Sequence, residues 1–124
     1  MSKSLKVLAV DDDMINLKLL KSMLMKNDDI GEVIEAKNGA DAISVLKERH
    51  DIDMILLDII MPVMGGLEML QIVRADEHLK QLPIIVLTTD ETKKTEALEI
   101  GANGFLMKPV RAADVAKKIS ELTI

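Results

Sequence analysis

Short apolar runs alternate with segments of helical spacing along the whole chain, five times over. Leu5–Val10 reads as a buried strand. Beyond it Leu17, Leu20 and Leu24 follow a 3-4 spacing, and Ile15, Leu19 and Met23 recur in steps of four. Asn16, Lys18, Lys21 and Lys26 fill the polar positions, so the pattern predicts an amphipathic helix with a broad apolar face, ended by Asn27–Asp28–Asp29. Val33–Ala36 is a second, shorter strand, and Asn38–Gly39 a turn that opens a helix with Ala42, Ile43 and Leu46 inward. Met54–Leu57 is a third strand. Pro62 and the Gly65–Gly66 pair punctuate the loop before a helix carrying Leu67, Leu70 and Val73. Pro83 starts a fourth strand through Leu87, where its missing N–H is tolerated. Glu91 to Ile100 is a fourth helix stopped by Gly101, Gly104–Met107 a fifth strand, and Val115, Ile119 and Leu122 the inner face of a last helix.

Five β-α units in strict alternation predict an α/β fold, a parallel sheet covered by helices on both faces with right-handed crossovers. The pattern leaves the strand order open. No linker, repeat or low-complexity tract interrupts it, so residues 1–124 are expected to form a single domain.

Four of the apolar runs stop at residues suited to handling phosphate. The first ends at Asp11, Asp12 and Asp13, the third at Asp58, the fourth at Thr88 and Thr89, and the fifth at Lys108 followed by Pro109. In a parallel sheet these ends share one edge, the edge where open α/β sheets bind ligands. Taken singly each residue has a plainer role. Asp12 or Asp13 suits a helix N-cap, Asp58 a turn, Thr88 a strand or cap, and Lys108 a solvated side chain. Their joint placement points to a site. Asp11, Asp12 and Asp58 would repel one another if ionised together, and a hard divalent cation resolves this. All-oxygen ligands select Mg²⁺, Mn²⁺ or Ca²⁺. Such a site, with Lys108, can position a phosphoryl group and neutralise its oxygens. A carboxylate can itself be the nucleophile, and Asp58, alone at its strand end, is the best candidate.

Composition narrows the alternatives. Hydrophobic residues at 48% and charged residues at 30% describe a soluble globular chain. Phe105 is the one aromatic, so nine methionines share the interior with the aliphatic residues. The net charge of −5 comes without a basic cluster, which argues against direct nucleic-acid binding. No cysteine is present, which excludes disulfides, thiolate zinc sites and cysteine nucleophiles. The first apolar run is too short for a signal peptide or a membrane span, so a cytoplasmic protein without membrane insertion is expected. His50 and His78 lie in polar stretches without metal-ligand spacing and read as surface residues.

The segments VLAVDDD (Val7–Asp13), MILLDIIMPVMGG (Met54–Gly66), IIVLTTD (Ile84–Asp90) and GANGFLMKP (Gly101–Pro109) resemble the receiver domain of two-component response regulators. The resemblance runs from Lys6 to the C-terminus, and four segments in order at these spacings are specific to that family. It implies a flavodoxin-like doubly wound sheet of five strands, order 2-1-3-4-5, with five helices; the general rules for such sheets take a receiver protein as an instance of that order. By the same resemblance Asp58 is the phosphoacceptor. Asp12 and Asp58 would ligate Mg²⁺ directly with the backbone carbonyl of Ile60, and Asp11 would act through water. Thr88 is the switch hydroxyl, Phe105 the switch aromatic and Lys108 the phosphate-contacting lysine, followed by a cis Lys108–Pro109 bond. Asp13 has no fixed role in the family and reads as helix-start chemistry. Gly65 departs from the Asp that many members carry at that position, which bears on loop rigidity and not on a ligand. Ile60 and Asp90 lie where the family tunes dephosphorylation.

The implied partners are a histidine kinase or phosphotransfer protein that donates the phosphoryl group, and a downstream effector protein, as for stand-alone receivers of chemotaxis type. The chain would catalyse only its own phosphoryl transfer and dephosphorylation. A phosphohydrolase with an aspartate nucleophile is a different class, but it normally carries a second aspartate where this chain has Ile60. A degenerate receiver acting as a binding module would lack part of the acidic site.

Overall fold

A computed structural model describes residues 4–59 and 64–122, and in it each of the five apolar runs is a strand. The strands are β1 (Leu5–Val10), β2 (Ile30–Ala36), β3 (Met54–Asp58), β4 (Ile84–Thr88) and β5 (Gly104–Met107). The helices are α1 (Met14–Met25), α2 (Gly39–Glu48), α3 (Gly66–Ala75), α4 (Lys94–Ile100) and α5 (Ala112–Leu122). All four pairings are parallel and the order is β2-β1-β3-β4-β5, the doubly wound arrangement expected. β3 and β4 lie inside the sheet and are buried at every residue, which is why they read as unbroken apolar runs. β2 begins at Ile30, three residues before the predicted start; Glu32 and Gly31 hid its first half in the pattern.

Alternation along the strands divides the core in two. Leu8, Val10, Ile55, Leu57, Ile84 and Val86 face α2, α3 and α4, where Ala42, Leu46, Met69, Leu70, Val73 and Ala97 meet them. Val7, Ala9, Met54, Leu56, Ile85 and Leu87 face α1 and α5, against Leu17, Leu20, Leu24, Val115 and Ile119. Half-buried Phe105 joins the first cluster, and Leu106 the second.

α1 departs from the expected broad apolar face. Leu17, Leu20 and Leu24 are buried, but Ile15 is 71% and Leu19 62% exposed. At about 100° per residue, the Ile15–Leu19 row lies roughly 160° around the helix from the centre of the buried row. The two apolar rows are therefore opposite faces, and only one packs on the sheet. Asp13 caps this helix by accepting from the N–H groups of Ile15 and Asn16, as its position at the helix start implied.

The predicted fourth helix is also modified. Glu91–Lys93 is a 3-10 turn that leads into α4, with Asp90 as its cap. Gly101 ends α4 at φ +126°, a conformation that disfavours a side chain, as the sequence anticipated. Arg74 at the end of α3 fixes that corner: its guanidinium donates to the carbonyls of Gly101, Lys80 and Leu82 and to Asn103 Oδ1. His50 and His78 are both exposed, as expected. Among the described residues no helix is long and apolar enough to cross a membrane.

Leu56→Ala, which empties a fully buried position in the central strand, is expected to cost about 3 kcal/mol in urea unfolding. Ile15→Ala, on the exposed row of α1, should stay within about 0.5 kcal/mol of the parent.

Candidate functional site

Each site residue sits one step along or beyond a strand whose backbone is held by its neighbour. Val10 pairs with Leu57, so Asp11 and Asp58 follow on adjacent strands; Asp58 pairs with Leu87, and Thr88 with Met107. The ladder continues past the strands. Asp11 N–H donates to the Ala36 carbonyl, Ile59 N–H to Leu87 and Lys108 N–H to Thr88. These bonds fix the backbone beneath the polar side chains before any ligand is present. The start of α3 closes the site from below: Gly66 N–H donates to the Ile59 carbonyl at 2.7 Å. A Cβ on Gly66 would lie 2.4 Å from the Asp58 carbonyl oxygen, so only glycine permits this approach.

The carboxylates of Asp11, Asp12 and Asp58 each offer an oxygen, and those oxygens lie within 4.8 Å of one another. Asp11 and Asp58 are buried, 3% and 6% exposed, while Asp12 faces solvent. At that spacing each ionised pair repels by about 3–4 kcal/mol at an effective dielectric constant of 20. Lys108 offsets part of this. Its Nζ lies 3.1 Å from Asp11 Oδ2 and 3.4 Å from Asp58 Oδ1. Burial pulls the Lys108 ammonium down, but its hydrogen bond to Asp11 and the charges of Asp58 and Asp11 outweigh this and raise it above the ordinary lysine value. Three carboxylates against one ammonium leave two negative charges in excess. That excess, carried by hard oxygen donors on two strand ends, fits Mg²⁺ or a similar dication. Asp11 also accepts from Asp13 N–H at 3.0 Å, which orients its carboxylate.

Thr88 is 1% exposed and belongs to the opposite parity of the sheet from Asp58 and Lys108, on the side of α4. Its Oγ1 accepts from Asp90 N–H at 3.1 Å. Phe105 shares that side, and the Lys94 ammonium of α4 stands 5.9 Å from its ring centroid. The Lys108–Pro109 bond is cis, as expected. The structure thus brings Asp11, Asp12, Asp58 and Lys108 together at one edge and sets Thr88 and Phe105 on the opposite side of the sheet, toward α4. Ile60, assigned a backbone role toward the metal, lies outside the described residues.

Sequence reading missed two features. Asp90 caps the 3-10 turn, its Oδ1 accepting from Thr92 N–H and hydroxyl, and these bonds hold its carboxyl below the usual carboxylate range. The Asp-x-Thr spacing was the available signal for that cap. The Lys94–Phe105 contact had no signal in the pattern, because it joins α4 to β5 across a turn. Beside Asp11 and Lys108 a cavity of about 650 Å³ opens between α1 and the start of α5, walled by Leu19, Leu20, Met23, Pro109 and Val110.

Lys108→Met is expected to destabilise the metal-free chain by about 1–3 kcal/mol at neutral pH, since it removes the one ammonium that offsets the repulsion between two buried carboxylates. Because the folded-state lysine value is raised, this contribution is fully present below the ordinary lysine value. It is lost as pH rises through the folded value, so the deficit should be flat near neutrality and shrink only in strongly alkaline solution. Asp12→Asn should act oppositely and stabilise the metal-free chain by about 1 kcal/mol, read by thermal unfolding in EDTA.

Residues 7–120 match the family model of the response regulator receiver domain. Chemotaxis protein CheY-3 of Vibrio cholerae is 34% identical over 126 residues, covering 98% of this chain and 94% of the relative. A chemotaxis protein CheY homolog of Campylobacter jejuni is 32% identical, over 95% and 92%. Among solved structures, Vibrio cholerae CheY4 superposes with a TM-score of 0.85 at 34% identity, over 95% of this chain and 98% of that one. The receiver domain of a sensor histidine kinase from Pseudomonas aeruginosa, solved with a magnesium ion coordinated in its active-site cleft, gives 0.85 at 26% identity, over 96% and 97%.

Proposed function

The chain belongs to the response regulator receiver domain family, and from that premise we propose that Asp58 accepts a phosphoryl group with Mg²⁺ and that the modification switches the face formed by α4, β5 and α5. The observation that carries this reading is the convergence of Asp11, Asp12, Asp58 and Lys108 at one sheet edge. Asp58 Oδ attacks the phosphorus of a phosphohistidine on a histidine kinase or phosphotransfer protein. The N–P bond breaks, its electron pair goes to the imidazole, and Asp58 becomes an acyl phosphate. Asp12 and Asp58 would hold the cation, with Asp11 acting through water and the Ile60 carbonyl as the further ligand that the family resemblance assigns. Bound there, Mg²⁺ supplies neutralisation of the phosphoryl oxygens in the transition state. The Magnesium-bound receiver of Pseudomonas aeruginosa supports the choice of ion.

The charge change then drives the switch. Lys108, already 3.4 Å from Asp58, is in place to hold a phosphoryl oxygen by a charge-assisted bond. Thr88 exchanges the Asp90 N–H for a phosphoryl oxygen and vacates space beside Phe105, which turns inward. That movement gives up the Lys94 contact, worth about 0.5–1 kcal/mol at an exposed site. Exposed Leu98 and Met107 lie on the face that changes and present it to an effector protein. The switch is a biased two-state equilibrium, so ligand and partner shift its populations. The chain turns over no separate substrate. It catalyses its own phosphorylation and the reversal of that step.

Incubation with labelled acetyl phosphate and Mg²⁺ is expected to label the parent chain at Asp58, and EDTA or Asp58→Asn to abolish incorporation. Labelling that persists in Asp58→Asn would reject Asp58 as the acceptor. Multiple turnover of a generic phosphate ester would instead favour the hydrolase class.

A further inference from the structure

The cavity of about 650 Å³ between α1 and the start of α5 has an apolar wall and a charged end. The wall continues the core on that side of the sheet. Leu20 and Leu87 are buried members of the cluster under α1 and α5, and half-buried Met23 and Val110 pack against it. Leu19, on the outward row of α1, also lines the space.

Asp11 and Lys108 form the charged end. Strand alternation puts both of them, and Asp58, on the side of α1 and α5. Asp58 shares the parity of Met54 and Leu56, Asp11 that of Val7 and Ala9, and Lys108 that of Leu106. Lys108 Nζ, 3.4 Å from Asp58 Oδ1, therefore belongs both to the cavity and to the phosphoacceptor site. The volume lies within the range of about 300–1,000 Å³ that small-molecule sites occupy, sites that are mostly apolar with a few polar groups to fix orientation. The two ends call for one kind of occupant: a phosphoryl head at Lys108 with an aliphatic tail along Leu19, Leu20, Met23 and Val110.

We propose that small acyl phosphates donate to this site, and that the cavity selects donors with a longer aliphatic acyl tail over acetyl phosphate. The inference rests on the reading of Asp58 as phosphoacceptor and adds a substrate class to it. The donor is a mixed anhydride of a carboxylic acid and phosphoric acid. Asp58 Oδ attacks phosphorus, and the bond from phosphorus to the acyl oxygen breaks with its electron pair staying on that oxygen. The carboxylate of the acid departs, and Asp58 carries the phosphoryl group. These bonds are the same whatever the length of the tail, so a preference among donors originates in what the tail touches. Each methylene taken fully out of water is worth about fourfold in affinity.

The test compares labelled acetyl phosphate and labelled butyryl phosphate as donors to the protein in Mg²⁺, at concentrations where labelling is proportional to donor. Butyryl phosphate, which is longer by two methylenes, should label the parent roughly tenfold faster. Leu19→Gln and Met23→Gln, which set an amide on the apolar wall, should each lower that preference roughly threefold. Leu19 is 62% exposed, so its variant keeps the comparison open should Met23→Gln fail to fold. Equal labelling of the parent by the two donors would overturn the inference, as would a preference that the variants retain in full. A second readout needs no transfer. n-Pentylphosphonate, a non-transferable probe of matching length, should shift the amides of Leu19, Met23 and Val110 in an NMR titration, and methylphosphonate should leave them in place. Amides unmoved by n-pentylphosphonate would also overturn the inference and leave the cavity to the surface of a protein donor. Label found in Asp58→Asn, or none in the parent from either donor, would overturn the phosphoacceptor reading itself, a result distinct from equal labelling by both.

Discussion

The Lys108 ammonium stands between two buried carboxylates, 3.1 Å from Asp11 and 3.4 Å from Asp58, and the arrangement of the whole edge depends on that bridge. The residues are 97 and 50 positions from the lysine in sequence, and only the parallel register of β1, β3, β4 and β5 brings them together. A folded chain that gathers three carboxylates around one ammonium holds electrostatic repulsion in its native state. The hydrophobic sheet interior, buried completely along β3 and β4, compensates for that repulsion. A stabler edge would replace one carboxylate, and it would then bind a dication less well. Under the proposed function, stability and cation binding pull in opposite directions at this place.

The connection from this edge to the α4 side is built from contacts that link Thr88, Asp90, Lys94 and Phe105. Thr88 lies at the end of β4, with its hydroxyl on Asp90 N–H; Asp90 caps the turn into α4; and Lys94 at the start of α4 overlies Phe105 of β5. A change in what the Thr88 hydroxyl binds therefore bears on the cap, on the helix start and on the aromatic ring. Arg74 holds the far end of α4 at Gly101, so the helix is secured at one end and linked to the site at the other.

Much of this was legible in the sequence because the interior strands are apolar without interruption and the site residues stop them. Leu5–Val10 and Gly104–Met107 coincide with β1 and β5, and the remaining strands differ at their ends. The strand order was not legible from periodicity, since five equivalent β-α units carry no statement of neighbours; the resemblance of the motifs supplied it. The two opposite apolar rows of α1 were present in the spacing, but a merged face and two separate faces look alike when apolar residues are merely counted. The 3-10 turn after Asp90 was hidden because a helical pattern tolerates a tighter first turn. Contacts such as Lys94 with Phe105 depend on how two elements meet, and no local pattern encodes them.

With neither tryptophan nor tyrosine in the chain, backbone amides report the site better than intrinsic fluorescence. An amide NMR titration with Mg²⁺, followed by beryllofluoride, tests the central claim most directly. Mg²⁺ alone should shift the amides around Asp11, Asp12 and Asp58. Beryllofluoride should then shift Thr88, Asp90, Phe105 and the start of α4. Saturating Mg²⁺ that leaves the Asp11, Asp12 and Asp58 amides unmoved would contradict a cation site at this edge, and with it the account of what the edge is for.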